Sequence, residues 1–330
     1  MPYMTTEHTA EVAAKIFQRK YIDENDRVPQ EYLEGGKVGQ YTPSDSRKFI
    51  SFVSAAGLGS FQLKREAGTA AIDEPGMMIP TSAFFESMAL QAGISLEQFE
   101  EDQMRFWQHL PQMFSKSAKN TKDQLAVGLY NLAFAADGGY ADGRPLCDSN
   151  HPLYPVSNPA GGPAVARFGA YQSNYLGSLP PSVEALVQAR ILARTALDDR
   201  GKKDTWMVDT IVCPEALDNM WETIIRKDAV LVPYIAGKVI NTQAGKWKKS
   251  VWRDLTSPIA WYVIGKPGLP GDHGNDCHGL GIWFRWNYKT RVWDDNATLS
   301  RMYMAYFRYA VMAWTYKRFI GSSGSSAISA

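Results

Sequence analysis

Cysteine and histidine are scarce in this sequence, no charge of one sign dominates, and no long apolar run occurs; each shortage excludes a class of protein. Three cysteines, Cys147, Cys213 and Cys277, are too few and too scattered for a disulfide framework, and their number is odd. A reducing compartment is the economical expectation. With 35 Lys and Arg against 34 Asp and Glu, the formal net charge is +1, so the chain lacks the basic excess of a dedicated nucleic-acid binder. That balance remains compatible with one surface that faces packed nucleic acid. No stretch approaches the roughly 20 apolar residues of a membrane span. Residues 1–14 show no apolar core after a basic start, so no secretory signal is expected, and the reading is a soluble intracellular product.

Catalytic signatures are missing as well. There is no GxSxG elbow, no phosphate loop ending in GK[ST], no HExxH, no CxxC and no GxGxxG after a strand. Gly57-Leu58-Gly59 lacks the third glycine and the helix that should follow. The expectation is therefore no enzyme and no cofactor. Three weaker constellations have bland readings that outweigh the chemical ones. Cys147 and His151 could join Cys277 and His278 around zinc, but adjacent Cys277-His278 bite one metal poorly, and a turn before Pro152 explains the first pair. Glu97, Glu100, Glu101 and Asp102 sit where a helix begins, and its positive end accounts for them without catalysis. Lys246, Lys248 and Lys249, interleaved with Trp247 and Trp252, resemble a stacking site for single-stranded nucleic acid. The neutral charge balance favours an ordinary loop at a surface.

What is present is an unusual succession of elements. Thr6 to Tyr21 reads as an amphipathic helix with Val12, Ile16 and Phe17 on one side. From Asp23 to Ser46 the chain is polar and rich in Gly and Pro, an extended arm that needs a neighbour to lie on. Phe49 to Val53 reads as a strand, and the charged segment to Pro80 as a long hairpin unable to bury a face of its own. Ser95-Leu96-Glu97-Gln98 is a capping box opening a helix. Pro111 should kink or restart that helix, and Thr121-Lys122-Asp123-Gln124 offers a second box followed by Leu125, Leu129, Leu132 and Ala136. Together these predict about 60 Å of interrupted helix at 1.5 Å per residue.

Residues 137–182 form a long Gly/Pro/Asn-rich region, of the kind that carries function or contacts. Pro181-Ser182 then opens a helix with Val183, Leu186, Val187 and Ile191 on one face, running to Asp198-Asp199-Arg200-Gly201. A strand at Met207–Val212, a helix at Pro214–Arg226 and a loop excursion at Pro233–Pro258 follow. Strands are predicted at Ala260–Ile264, Gly279–Trp286 and Met302–Ala313, with Trp283, Trp286, Tyr303, Tyr306, Phe307, Tyr309 and Trp314 as sheet core, before a flexible tail.

Three ordered motifs carry a family resemblance. The first is Asn131-Leu132-Ala133-Phe134, Gly138-Gly139, Asp142-Gly143-Arg144-Pro145-Leu146-Cys147 and His151-Pro152-Leu153. The second is Val53-Ser54, Gly57-Leu58-Gly59, Arg65-Glu66-Ala67-Gly68-Thr69-Ala70 and Ile72-Asp73-Glu74, ahead of Glu100-Glu101-Asp102. The third is Asp198-Asp199-Arg200-Gly201 followed by Val212-Cys213-Pro214-Glu215. In this order they resemble the major capsid subunits of tailed bacteriophages, particularly the Mu-like group, although Arg144-Pro145 departs from that group's usual Lys-Ala.

The resemblance implies the α+β phage major-capsid fold, shared with encapsulins and herpesvirus capsid floors. Its parts would be an N-terminal arm at 1–47, an extended β-loop at 48–90 and a peripheral domain with a long spine helix at 91–180. An axial domain at 181–280, strands returning to the peripheral domain at 281–318 and a flexible C-terminus at 319–330 would complete it. It further implies hexamers and pentamers closing an icosahedral shell around double-stranded DNA. Scaffolding protein, portal and decoration protein would be partners, and Lys64, Arg65, Glu66, Asp73, Glu74, Glu100 and Glu101 would contact neighbouring subunits. Lys64 has no identifiable partner for a covalent crosslink. An encapsulin-like compartment is the nearest alternative, and a metal-dependent hydrolase built on Cys147, His151, Cys277 and His278 the one from another class.

Overall fold

The computed structural model describes residues 6–27, 30–43, 46–53, 72–73, 79–95, 97–98, 101, 109–135, 142–204, 206–226, 229–231, 238–241, 243–265 and 279–325. Two four-stranded sheets organise them, giving an α+β chain. The first sheet has the order β1 (Gly39–Tyr41), β14 (Leu280–Asp295), β15 (Ser300–Ala313), β4 (Glu86–Ser95). β15 runs antiparallel to both neighbours, and β1 joins β14 in parallel. Along β15 buried Tyr303, Ala305, Phe307 and Tyr309 alternate with half-buried positions, the two-residue period of a strand with one covered face. Two helices of 22 residues cover it, α1 (Thr6–Arg27) and α2 (Leu110–Asn131). Phe17 of α1 meets Phe114 of α2 edge-on at 5.5 Å and Tyr303 of β15 at 5.2 Å.

The second sheet has the order β12 (Lys248–Val251), β9 (Val208–Cys213), β13 (Trp261–Gly265), β16 (Phe319–Ser322). Its middle strands are covered on both faces and therefore read as continuous apolar runs. Trp261, Val263 and Ile320 face α3 (Val183–Arg194) and α4 (Asp218–Arg226), while Tyr262, Ile264 and Phe319 face the C-terminal half of α2. That half of α2 thus packs in one core with strands of both sheets, Tyr130 meeting Trp252, Tyr262 and Phe319 at 5.0–5.2 Å.

Four strand pairs lie outside the sheets. These are β2 (Phe49–Phe52) with β3 (Thr81–Phe84), β5 (His151–Pro152) with β8 (Tyr171–Gln172), β6 (Pro155–Val156) with β7 (Val165–Ala166), and β10 (Ala229–Leu231) with β11 (Lys238–Ile240). No helix among the described residues is long and apolar enough to cross a membrane.

Several sequence expectations are corrected. The stretch 23–46 is not an unpacked arm. The helix continues to Arg27, a 3-10 turn spans Glu31–Gly36, and β1 follows; Tyr32, Lys37 and Val38 are fully buried. Gly35, at φ +66°, brings this turn so close to β12 that a Cβ would lie 2.6 Å from Ser250 Oγ. The capping box at Ser95 is made: Gln98 N donates to Ser95 Oγ at 3.2 Å, and Ser95 N to Gln98 Oε1 at 3.4 Å. The box at Thr121 is not, because α2 passes straight through it and Thr121 Oγ1 donates back to Ser117 O. Pro111 lies in the first turn of α2, where a missing N–H costs nothing.

The buried line of α2 is Phe114, Ala118, Lys122, Ala126 and Tyr130, whereas Leu132 is half exposed. α3 ends at Arg194 and buries Ala185, Leu186, Ala189 and Ala193 while Ile191 stands out. Large neighbours explain this: Trp206, Trp221 and Trp261 fill the same core, and small residues accommodate them at native packing density. The excursion at 233–258 contains β12, with Trp247 and Trp252 in the core. β14 continues beyond the expected end at Trp286 to Asp295, and the tail is tied down as far as β16, whose Ser322 Oγ donates to Gly177 O and Leu179 O.

Candidate inter-subunit surface

The hairpin β2–β3 pairs Phe49 with Phe84 and Phe52 with Thr81, so its two faces differ. One face is seated on the first sheet: Phe52 lies 5.5 Å from Trp283 and 5.6 Å from Trp314, beside Ile50 and Ala83. The other is bare. Phe49 and Phe84 contact each other at 6.1 Å, and Phe84 is 71% exposed. Two neighbouring aromatic rings in water form an apolar patch that burial against another surface would stabilise.

Next to it runs β4, the edge of the first sheet. It is exposed from Glu86 through Gln91, holds no proline, and its one carboxylate, Glu86, accepts from Tyr309 Oη at 3.0 Å. An edge without proline or a free charge is a template for association. The sequence reading ran the extended loop to residue 90 and missed this strand. Its signal was the alternation of Met88, Leu90, Ala92 and Ile94.

Of the residues expected at subunit contacts, Lys64, Arg65, Glu66, Glu74 and Glu100 lie outside the described residues. Asp73 is engaged within the chain, its Oδ1 3.3 Å from Arg200 Nη2. Glu101 is exposed, its N–H bonded to Glu97 O after the capping box.

Buried polar groups fasten the N-terminal segment to the body. Lys37 Nζ donates to Glu31 O at 3.1 Å and Val251 O at 2.8 Å, and lies 5.1 Å from the Trp252 ring. Tyr32 N donates to Asp123 Oδ1, and Tyr130 Oη to Lys37 O. Burial lowers the Lys37 ammonium and raises the Asp123 carboxyl relative to their ordinary ranges. Lys122 is fully buried among Phe284, Tyr288 and Phe307, its Nζ 4.0 Å from the Tyr288 ring, and donates to Asn287 Oδ1 at 2.6 Å. Burial first, then Lys119, brings it down to about 7, against the pull of Asp123 and Asp26.

The unfolded chain therefore holds a proton that the native chain releases between about 7 and 10.5. Stability accordingly rises with pH through that window, and the native state carries the full cost below it. Lys122→Met is expected to flatten this rise and to gain about 1–4 kcal/mol on the acid side of the window. Urea midpoints on both sides check it; a variant with the wild-type slope would remove Lys122 as the cause.

The segment from Asp142 to His151 is a structural clamp. His151 Nδ1 is 2.6 Å from Asp142 Oδ2, both groups are buried, and the imidazole stacks on Tyr316 at 3.9 Å. Asn174 Nδ2 donates to Leu146 O and Phe319 O, tying the segment to β16. Cys147 Sγ packs against Gly321, and burial pushes its thiol well above the ordinary range. Cys277 and His278 lie outside the described residues, so the proposed zinc set is not assembled within them. The Lys/Trp patch at 246–252 is not assembled either: Trp247 and Trp252 are buried, and Lys249 Nζ sits between Asp218 and Glu222 at 2.5 and 2.6 Å.

No family model and no curated protein matches the chain. Solved structures do. A chain of Microbacterium phage Oxtober96 superposes with a TM-score of 0.53 at 9% identity, covering 90% of this chain and 93% of that one. A chain of Mycobacterium phage Cain gives 0.50 at 10% identity, covering 92% of each. A chain of the procapsid of bacteriophage JBD30 gives a looser 0.48 at 14% identity over 98% of this chain. This chain shares the fold of the first two over about nine-tenths of its length.

Proposed function

We propose that this chain, built on a fold that occurs in phages, is the shell-forming major capsid subunit of a tailed bacteriophage and performs no catalysis. The observation that carries the reading is the extent of the likeness, about nine-tenths of this chain and of each of the two phage chains. The three ordered motifs support it and point to the Mu-like group. The bare rings of Phe49 and Phe84 and the open edge of β4 supply the kind of surface that a second copy covers.

In this reading, association buries the hairpin against a neighbouring subunit, and repetition closes hexamers and pentamers into a shell around double-stranded DNA. Scaffolding protein sets curvature during assembly, a portal occupies one vertex, and decoration protein adds to the outside. The broad joint at α2, which packs with both sheets, lets the body turn as a unit while hairpin and edge contacts change. The virion is then its location, and assembly takes place in the host cytoplasm.

The test is expression of the full chain, alone and with the genes beside it, followed by negative-stain microscopy and sedimentation. Closed shells of uniform diameter that take up DNA are expected. A compact monomer at every concentration, with or without the neighbouring gene products, would overturn the proposal. Shells that enclose a protein cargo and no DNA would replace it by the encapsulin reading.

A further inference from the structure

The face of the first sheet turned away from α1 and α2 carries a row of cations that have no ion-pair partner among the described residues. Directly paired residues share a face, and the register places Trp286 beside Arg308, Lys289 beside Tyr306, Arg291 beside Met304 and Trp293 beside Met302. A bulge between Trp286 and Lys289 keeps both on this side. The hairpin β2–β3 covers one end of the face, around Trp283 and Met312; the end from Trp286 to Trp293 is open.

There the cations lie on aromatic rings. Lys289 Nζ is 4.2 Å from the Trp286 ring, the Arg308 guanidinium 5.8 Å from the same ring, and that of Arg291 5.7 Å from Trp293. Rings orient cations without cancelling their charge. None of the three has an ion-pair partner among the described residues, and Arg308 Nε is buried with no hydrogen-bond partner among them. At the strand end, Asp295 on this face accepts from Ala297 N and Thr298 Oγ1, and Asp294 on the opposite face is taken by Arg301. Across β15 the face continues as Ser87, Ala89, Gln91 and Gly93, none of which carries a charge.

Resting on the shell reading, we propose that this open face is where the subunit contacts the phosphodiester backbone of the enclosed double-stranded DNA, through Lys289, Arg291 and Arg308. Cations without ion-pair partners among the described residues suit a polyanion, and an acidic polypeptide is the competing occupant that the test below separates. A uniform line of phosphates needs only evenly placed cations: Lys289 and Arg291 stand two strand residues apart, about 7 Å, while each DNA strand offers a phosphate about every 3.4 Å of axis. The neutral balance of the whole chain is no obstacle, because screening confines the relevant charge to about 10 Å.

The test is fluorescence anisotropy of the full chain with a labelled duplex of about 30 base pairs across a salt series. For K289Q/R291Q/R308Q, affinity at low salt is expected to fall at least about tenfold, and the slope of log K against log salt to lose about 2.7, or 0.9 per phosphate contact. K289Q/R291Q, which leaves half-buried Arg308 in place, serves where the triple variant folds poorly, with an expected loss of about 1.8. A wild-type slope in a folded variant would overturn the proposal. So would polyglutamate competing as well as unlabelled duplex of equal charge, which would mark the face for an acidic polypeptide. Microscopy of the same samples separates the two levels: shells with an unchanged slope sink this inference alone, whereas no shells from the wild type sink the reading beneath it.

Discussion

Shell assembly is expected to stop when Phe49 and Phe84 are both replaced by serine, while the subunit keeps its fold. The two rings touch each other, and Phe84 is 71% exposed while Phe49 is 38% exposed. Phe84→Ser removes little internal packing and Phe49→Ser removes some, so the subunit should lose about 1–2 kcal/mol and stay folded. In a shell the same rings would be covered. Burying a phenylalanine contributes about 1.5–3 kcal/mol, so two rings at each contact amount to some 3–6 kcal/mol, or about two to four decades in association constant. Because every subunit makes the contact, the critical concentration for shells should rise at least about a hundredfold. Sedimentation velocity reads this directly, with urea unfolding as the control for the fold. Shells at the wild-type concentration would show that this face of the hairpin is not a contact. Phe52→Ser should behave differently, lowering subunit stability itself, since Phe52 packs on Trp283 and Trp314.

The second large effect is expected inside the subunit. Trp252→Ala should cost about 3–5 kcal/mol and lower the urea midpoint by about 1 M or more. Trp252 is fully buried, meets Tyr130 of α2 at 5.2 Å, and lies beneath the Lys37 ammonium. Its loss opens a cavity at the joint between the two sheets and also strips a buried cation of its aromatic neighbour. Trp252→Phe should retain most of the stability, for the indole N–H has no hydrogen-bond partner among the described residues. Substituting it by a ring without a polar atom removes a desolvation cost. A loss under about 1 kcal/mol for the alanine variant would mean that residues 30–41 are not integral to the body.

That integration bears on how the subunit associates. A reading with 45 unpacked residues at the start made neighbouring copies necessary for the arm itself. With Tyr32, Lys37 and Val38 buried in the chain's own core, the demand for a neighbour falls on the hairpin β2–β3 and the edge strand β4. In the proposed shell, subunits would join already folded, through this hairpin and edge.

Local patterns foretold the elements whose cause is local. The Ser95 capping box and the Ser182 cap, which accepts from Ala185 N at 3.0 Å, involve neighbours three residues apart. Runs such as Trp261–Gly265 could only be buried strands, since nothing polar interrupts them. The hairpin was legible from Phe49 onward because a charged segment without apolar periodicity cannot form a core.

Beyond that reach, distant partners decided. Lys122 in the line Phe114, Ala118, Ala126, Tyr130 made the buried face of α2 look polar, while Leu125 and Leu129 lie at the margin of the core and Leu132 is half exposed. Lys37 is buried only because Val251, 214 residues away, offers a carbonyl. The three cations on the open sheet face gather through the antiparallel register of β14 and β15.

The chain's order of residues determined its strands and its capped helices, because those depend on spacing and on free energies of neighbours. Which polar groups lie buried, which aromatic rings stay in water and which charges share a face were decided only by the tertiary structure. A buried lysine or a bare phenylalanine is tolerated or not according to what packs against it, and that contact is made by residues hundreds of positions away.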